Sequence, residues 1–398
     1  MRILFITHRL PYSSVKHAGG YYQYSLIKAL KSRGINVDLL SFVNDEELKH
    51  IEEISKEVDR VFTVSIKKSK LEKVCHLPLL LMRPRFIVQA WKMAMAKKII
   101  KLVNTYKYDW IQFEYTQMAQ YKKYVNKIPT SIMEHDISII PVKRAYEKEK
   151  SLSRKILKYF TYILIRINEP IMISKFDLIL VFSEKDKKYI SKIIKNKPIY
   201  VLSPPVPSLC QNISNNNSNK NILFIGDLSR NTNIEAILWF YNNVFAKLKE
   251  EIPGVIFTIA GSNPNNDIIQ LREDKSVKLL TNFERIETLY SNARVFVSPL
   301  FVGGGIIKKN LDSLALGCPV VTTSIGNEGI NAPSPEVIII ADDANTFLKE
   351  VRDICLNDTK RNKLSIAGIK FVNESFNWER SVNLLIEEYQ RILICKKA

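Results

Sequence analysis

Cysteine is scarce and scattered. The five residues, Cys75, Cys210, Cys318, Cys355 and Cys395, stand far apart, with no CxxC pair and no Cys/His ligand spacing. This argues against a disulfide framework and against a structural zinc, and leaves Cys318 as a packing residue. Long apolar runs are missing as well. None reaches the roughly 18 residues that a membrane-spanning helix needs, and Ile3 to Ile6 is too short for a signal-peptide core, so a cytoplasmic protein is expected. Negative charge is short in one half only. Residues 1–200 carry 38 Lys and Arg against 19 Asp and Glu, whereas residues 201–398 carry 21 of each, so the whole net charge of +19 sits in the first half. Such asymmetry points to an acidic partner for that half: an anionic lipid surface, an acidic carbohydrate or nucleic acid. The Lys-, Ile- and Asn-rich bias runs through both halves, so composition alone does not explain the difference.

A chain of 398 residues, 46% hydrophobic, exceeds one small core and suits two α/β domains. Strand-like and helix-like runs alternate along it. Arg2 to Thr7 reads as a strand, followed by a loop containing Pro11 and Gly19-Gly20, a helix with Leu26, Ile27 and Leu30 at helical spacing, and a strand from Val37 to Phe42. Gly19-Gly20 falls where the first strand hands over to the first helix, the place where open parallel sheets bind ligands. Further on, Val88, Trp91, Met95 and Leu102 mark one side of a helix ringed by lysines. It reads as core-facing with a solvated basic face; contact with an anionic membrane rests on the summed charge, including Lys143 to Arg166. Tyr108 to Phe113 and Ser131 to Met133 are strands ending in Glu114-Tyr115 and Glu134-His135-Asp136. Strand ends collect ligand-facing groups, so His135 is the most interesting of the five histidines.

Pro204, Pro205, Pro207 and a polar run through Lys220 interrupt the alternation as an interdomain linker would. The predicted architecture is a Rossmann-like domain over 1–203, a linker over 204–220, a second Rossmann-like domain over 221–374, and a C-terminal segment over 375–398. That last segment is a helix whose Trp378, Val382, Leu385, Tyr389 and Ile392 step by four and three, and it needs a partner surface, expected on the first domain.

The second domain contains the most informative stretch, Gly303 to Gly317, which follows a strand-like run and precedes another from Pro319 to Ile325. Glycines at the mouth of a helix let a backbone approach an anion, and the helix dipole favours a phosphate there. Lys309 and Asp312, three apart, fall on one face, where an ammonium meets phosphate oxygens and a carboxylate accepts from sugar hydroxyls. A glycine loop alone is a weak signal, since many α/β helices open on glycine for packing.

Taken together, these residues resemble the family 4 glycosyltransferases of the two-domain GT-B fold. The likeness is nearest to a branch carrying a GGG-T-R-L-K-x-L-E-A-L-A-x-G helix, here Gly303 to Gly317, and a P-V-V-x-T-x-x-G-x-E-G segment, here Pro319 to Gly329. Phe224-Ile225-Gly226 through Phe240, Ile111 through Ala119, Glu134-His135-Asp136, Glu169 and Asp177 through Ser183 resemble further parts of the pattern, so it spans nearly the whole chain. The resemblance implies retaining transfer from a nucleotide diphosphate sugar, held mainly by the second domain, to a glycan or lipid-linked acceptor held by the first. It implies no other cofactor and no metal. Donor contacts would come from Gly226, Arg230, Gly303, Gly304, Gly305, Ile306, Lys309 and Asp312; Gly19, Gly20 and Glu114 would face the diphosphate or acceptor, and His135 would lie near the transferred sugar. His135 and Lys309 are the candidate catalytic residues, with Lys309 and the glycine turn steadying the departing diphosphate.

Departures are also visible. Asp312 replaces the motif's glutamate, Ile307 its arginine, and Gly304 the first glutamate of the wider family's E-x7-E pattern; Asp227 and Thr232 stand where other members carry an Arg…Lys pair, with Arg230 nearby. Two rival readings are a nucleotide-sugar epimerase of the same fold and a non-catalytic basic protein holding nucleic acid. Against the latter, aromatic-glycine RNA patterns and recognition-helix motifs are missing, so no nucleic-acid partner is expected.

Overall fold

The computed structural model describes residues 1–397 apart from 16–17, 70–71, 73, 75, 126, 208–219 and 284. Lys70, Lys73, Cys75, Cys210, Glu284 and most of the expected linker therefore lie outside the described residues. Cys318, Cys355 and Cys395 are free thiols. The chain divides into two compact units, Met1–Pro205 with Trp378–Ala398, and Val206–Asn377.

The first unit is built on seven strands: β1 (Arg2–Thr7), β2 (Asn36–Val43), β3 (Arg60–Ser65), β4 (Trp110–Glu114), β5 (Thr130–Glu134), β6 (Leu178–Val181) and β7 (Ile199–Val201). They form one parallel sheet in the order β3-β2-β1-β4-β5-β6-β7. The central strands are apolar on both faces because both faces are covered. Leu4, Ile6, Ile111 and Phe113 enter one hydrophobic core, while Ile3, Phe5, Val37 and Leu39 enter the other.

In the second unit β8 (Asn221–Ile225), β9 (Ile256–Ala260), β10 (Val277–Leu280), β11 (Val295–Ser298), β12 (Val320–Thr322) and β13 (Ile339–Ile340) form a parallel sheet ordered β10-β9-β8-β11-β12-β13. Both sheets reverse their order beside their first strand, between β1 and β4 and between β8 and β11. Two Rossmann-like domains are thus present as expected, each with a topological switch point where its strands' carboxyl ends diverge.

The helices that matter to function are α1 (Ala18–Lys31), α2 (Met93–Thr105), α3 (Ile139–Glu147), α4 (Leu152–Ile173), α5 (Asn231–Phe240), α6 (Lys308–Ala315) and α7 (Trp378–Lys397). Several differ from the periodicity reading. Gly19 and Gly20 lie inside the first turn of α1 rather than in the loop before it. The basic helix expected through Val88 and Leu102 is broken at residues 90–92, where the Tyr121 hydroxyl donates to Ala90 O and accepts from Lys92 N. Its second part, α2, buries Met95, Ala96, Ile99 and Leu102, so it is core-facing. Ile325, read as part of a strand, falls in a short helical turn, Ser324–Asn327.

The C-terminal α7 packs on the first unit as its spacing predicted. Val382, Leu385 and Tyr389 are fully buried among Trp110, Ile3 and Leu178, each burial contributing roughly 1.5–3 kcal/mol before entropy is counted. Polar contacts fix the register: Arg33 Nη2 donates to Glu379 Oε2 (2.6 Å), Tyr200 Oη to Ser381 O (2.9 Å) and Lys396 Nζ to Asp177 Oδ1 (2.7 Å).

Candidate functional site

Each switch point carries a cluster of polar side chains. In the first unit, β4 and β5 run side by side and end on Glu114 and Glu134, so the next residue, His135, stands over the end of β4. His135 Nε2 lies 2.7 Å from Glu114 Oε2. Glu114 is fully buried and also accepts from Gln112 Nε2 (2.9 Å) and Gln23 Nε2 (3.5 Å). Burial pushes its pKa up, while the bonds from His135, Gln112 and Gln23 pull it back. In the tautomer that donates from Nε2 to this carboxylate, Nδ1 is the nitrogen with the lone pair.

The imidazole is held by rings. Tyr115 stacks on it at 3.8 Å, and Tyr22 and Phe182 meet it edge-on at 5.3 and 5.4 Å. Tyr115 reaches this position only through a backbone at φ 71°, ψ 145°, a region nearly reserved for glycine. The first turn of α1 closes over the pair. A methyl group at Gly19 would fall 2.0 Å from Tyr115 Oη and 3.1 Å from His135 Nδ1, so only glycine allows this approach. The structure thus brings Gly19, Glu114 and His135 together, with buried Gly20 one residue further on.

Behind Glu114 runs a line of buried hydrogen bonds. Gln112 Oε1 accepts from Tyr389 Oη (2.8 Å) on α7 and from Ser131 Oγ, which in turn accepts from Trp110 Nε1 (2.7 Å). A second buried pair of carboxylates stands beside it. Glu134 accepts from Thr116 Oγ1, and Glu169 of α4 accepts from Ser138 N at 2.9 Å. Burial raises the pKa of both, and Glu169 adds to the rise at Glu134.

The second cluster lies where β8 and β11 part. Lys309, the second residue of α6, donates from Nζ to Asn233 Oδ1 (3.1 Å) and sits 3.9 Å over the ring of Phe224. Asn233 is held by its own Nδ2, which donates to Asp227 O (2.8 Å), and by Gly226, where a Cβ would come within 2.7 Å of that nitrogen. Lys309 keeps some accessible surface as a residue, while its ammonium is packed between Asn233 and Phe224. Its pKa is lowered to about 7, first by burial and then by the positive charge of Arg230. Arg230 itself is exposed, 3.9 Å from Asp227.

The glycine stretch takes a different form from the expected one. Gly303, Gly304 and Gly305 precede the helix as a loop, and α6 begins only at Lys308. Gly305 has φ +68°, and its carbonyl packs so tightly on Gly329 that a Cβ there would lie 2.1 Å from it. Ile306 and Ile307 anchor the loop in separate hydrophobic cores, leaving the backbone of Ile306 as its means of meeting a ligand. Residues 301–304 and 306–309 all keep accessible surface, so the approach to α6 is open within this unit. Asp312 is buried with a raised pKa and accepts from Lys308 Nζ one turn earlier. Lys308 stands where the branch motif has leucine, so two departures from that motif pair with each other.

Sequence reasoning missed Asn233, Phe224, Tyr115 and Gln112 as parts of these clusters. Asn233 is detectable in principle, as a polar residue early in the helix after β8. The positive φ of Tyr115 leaves no trace in composition or spacing. Among the described residues no group of three His, Cys, Asp or Glu side chains is placed to hold a metal ion, and no described helix is long and apolar enough to cross a membrane.

Residues 219–357, which contain the whole second cluster, match the family model described as Glycosyl transferases group 1. An uncharacterized 44.6 kDa protein in the cps region of Klebsiella pneumoniae is 23% identical over 402 residues, covering 97% of this chain and 99% of the relative. Among solved structures, sucrose-phosphate synthase from Thermosynechococcus elongatus superposes with a TM-score of 0.72 at 16% identity, covering 99% of both chains. The pneumococcal O-GlcNAc transferase GtfA, solved in complex with UDP and GlcNAc, gives a TM-score of 0.68 at 10% identity, again over 99% of both chains. At such identities the likeness is one of fold, and that fold is GT-B.

Proposed function

We propose that this chain is a glycosyltransferase that moves a sugar from a nucleotide diphosphate sugar to a hydroxyl of a glycan or lipid-linked acceptor. The observation that carries the reading is the Lys309 ammonium, held by Asn233 and Phe224 at a switch point inside the segment that matches Glycosyl transferases group 1. A cation with pKa about 7, kept poorly solvated, gains much from an arriving diphosphate. Arg230, the backbone from Gly303 to Ile306 and the first N–H groups of α6 complete the donor side, with Gly226 setting the height of Asn233. Asp312 would exchange Lys308 for ribose hydroxyls, or share them with it.

In the reaction the bond between the sugar's anomeric carbon and the diphosphate oxygen breaks, and a bond to the acceptor oxygen forms. For retention both events occur on one face, and the acceptor's proton passes to the departing diphosphate. Lys309 and Arg230 steady the negative charge that develops there, which is where fixed charge lowers a barrier most. His135 with Glu114 would hold the transferred sugar's hydroxyls through Nδ1, beside the first turn of α1 that carries Gly19 and Gly20. The basic first half suits an acidic acceptor or its surface, and the place of the Klebsiella relative in a cps region supports polysaccharide assembly.

A thermal-shift panel of UDP, GDP, ADP and CMP nucleotides and their sugars tests the reading, because ligands that bind only the folded state raise its melting temperature. One nucleotide diphosphate and its sugar are expected to do so, with the shift lost in Lys309→Ala. A panel with no response, or a response untouched in that variant, removes the donor site from this position.

A further inference from the structure

Helix α4 carries an apolar face that nothing in its own unit covers. Leu152, Ile156, Phe160, Ile163, Ile167 and Ile171 step by four, four, three, four and four, so they form one continuous stripe along a helix roughly 30 Å long. All but Ile163 leave between 43 and 75% of their surface exposed. The helix is anchored by its other side, where Ile165, Glu169, Met172 and Ile173 are buried. Leu81 and Met82, 72 and 71% exposed, extend the patch, tied to α4 by Asn168 Nδ2 donating to Met82 O at 3.0 Å. Soluble proteins rarely leave so much contiguous apolar surface in water without a use for it.

The surroundings of the stripe identify its partner. Residues 143–175 contain nine Lys and Arg against three Glu, and Lys143, Lys150, Arg154, Arg166 and Lys175 are exposed. A second copy of the chain docked stripe to stripe would bring two such positive segments together, which Coulomb repulsion opposes. An anionic bilayer satisfies both features at once: acyl chains receive the apolar side chains while phosphate headgroups meet the flanking cations. With its charges and its anchored rear face, α4 lies on such a surface rather than crossing it.

We propose that α4, with Leu81 and Met82, is the surface by which this protein docks on an anionic phospholipid membrane. The stripe's exposure is not visible in the sequence, where helical spacing alone does not distinguish a covered face from an open one. The consequence reaches the first cluster, because Glu169 on the buried side of α4 accepts from Ser138 N, three residues after His135. Docking therefore engages a helix bonded directly to the loop that carries the candidate catalytic imidazole.

Co-sedimentation of the full chain with vesicles of phosphatidylcholine mixed with phosphatidylglycerol, and with phosphatidylcholine alone, tests the proposal. Binding to the mixed vesicles is expected, weakening as salt screens the headgroups, with little binding to the neutral ones. The triple variant Ile156→Ser, Phe160→Ser, Ile167→Ser should lose about tenfold or more in affinity, since it removes three large apolar contacts. Because these side chains are exposed, it should melt where the parent does and keep the parent's nucleotide-induced thermal shift, which separates loss of docking from loss of fold or donor site. Failure of the parent to bind mixed vesicles, or unchanged binding by the triple variant, overturns the proposal. So does a parent dimer that the triple variant converts to monomer without any vesicle binding, which assigns the stripe to self-association.

Discussion

His135 Nε2 and Glu114 Oε2 are 2.7 Å apart, and this contact decides which face of the imidazole is offered outward. An ionised carboxylate can only accept, so with Glu114 ionised the contact calls for the proton on Nε2 and, in the neutral ring, the lone pair on Nδ1.

Glu114→Gln tests that role. The amide can present its NH2 group to Nε2, which reverses the tautomer and puts a proton on Nδ1. Turnover is expected to fall by about 10- to 100-fold with the fold intact, as for other groups that orient a functional histidine. Nitrogen NMR of His135 reads the tautomer directly; an unchanged spectrum would detach Glu114 from this function.

Gly19→Ala should damage the same cluster sterically. The new methyl lands on Tyr115 Oη, and relief demands a shift of the ring that stacks on His135, costing about 1–3 kcal/mol. Tyr115→Phe in the same chain removes the oxygen and should restore part of the melting temperature. No recovery would mean that the clash is relieved elsewhere.

Donor affinity should depend on pH through Lys309. Its pKa is about 7 in the free protein, and a bound diphosphate raises it. Below 7 the ammonium is charged in both states and affinity is constant. As pH rises through 7 the free protein loses this proton first, so affinity falls by up to about tenfold per unit until the complex also titrates. Calorimetry with the nucleotide sugar should show proton uptake on binding above pH 7, absent in Lys309→Met.

Asn233→Ala removes the oxygen that accepts from Lys309 and should lower that pKa further. The fall in affinity would then begin at lower pH, while affinity in the acid plateau changes less. A uniform loss at all pH values would instead mark Asn233 as a direct donor contact.

Tyr389→Phe keeps the ring stacked on Trp110 at 4.4 Å but deletes the hydroxyl that donates to Gln112. The expected loss is about 1 kcal/mol of stability, with the Gln112 amide then free to turn away from Glu114. A change in the His135 resonances at constant pH, measured alongside melting, distinguishes this relay from simple packing loss.

The apolar strands and the Gly303 to Gly317 motif made the two Rossmann-like domains and the neighbourhood of Lys309 readable from spacing, because parallel strands buried on both faces are continuous apolar runs. The α7 stripe was readable for the same reason: its period points at a partner. What stayed hidden depends on geometry without a residue-type signature. Tyr115 adopts a glycine-like backbone, and α6 starts five residues after Gly303 because Ile306 and Ile307 are drawn into the cores first. Asp312 looked like an isolated departure until the helix placed Lys308 one turn before it. The α4 stripe was not readable as exposed, since a period of hydrophobic residues says that a face will be covered without saying by what.

Because Tyr389, Leu385 and Val382 complete the hydrophobic interior of the first unit, that unit cannot finish folding on the ribosome when only residues 1–205 have emerged. The second unit can close first, and the earlier one waits, with Trp110 uncovered, for the arrival of α7. Synthesis order and maturation order are therefore inverted, and a message truncated before residue 378 would yield a well-formed second unit joined to an unfinished first one that chaperones must either hold or discard.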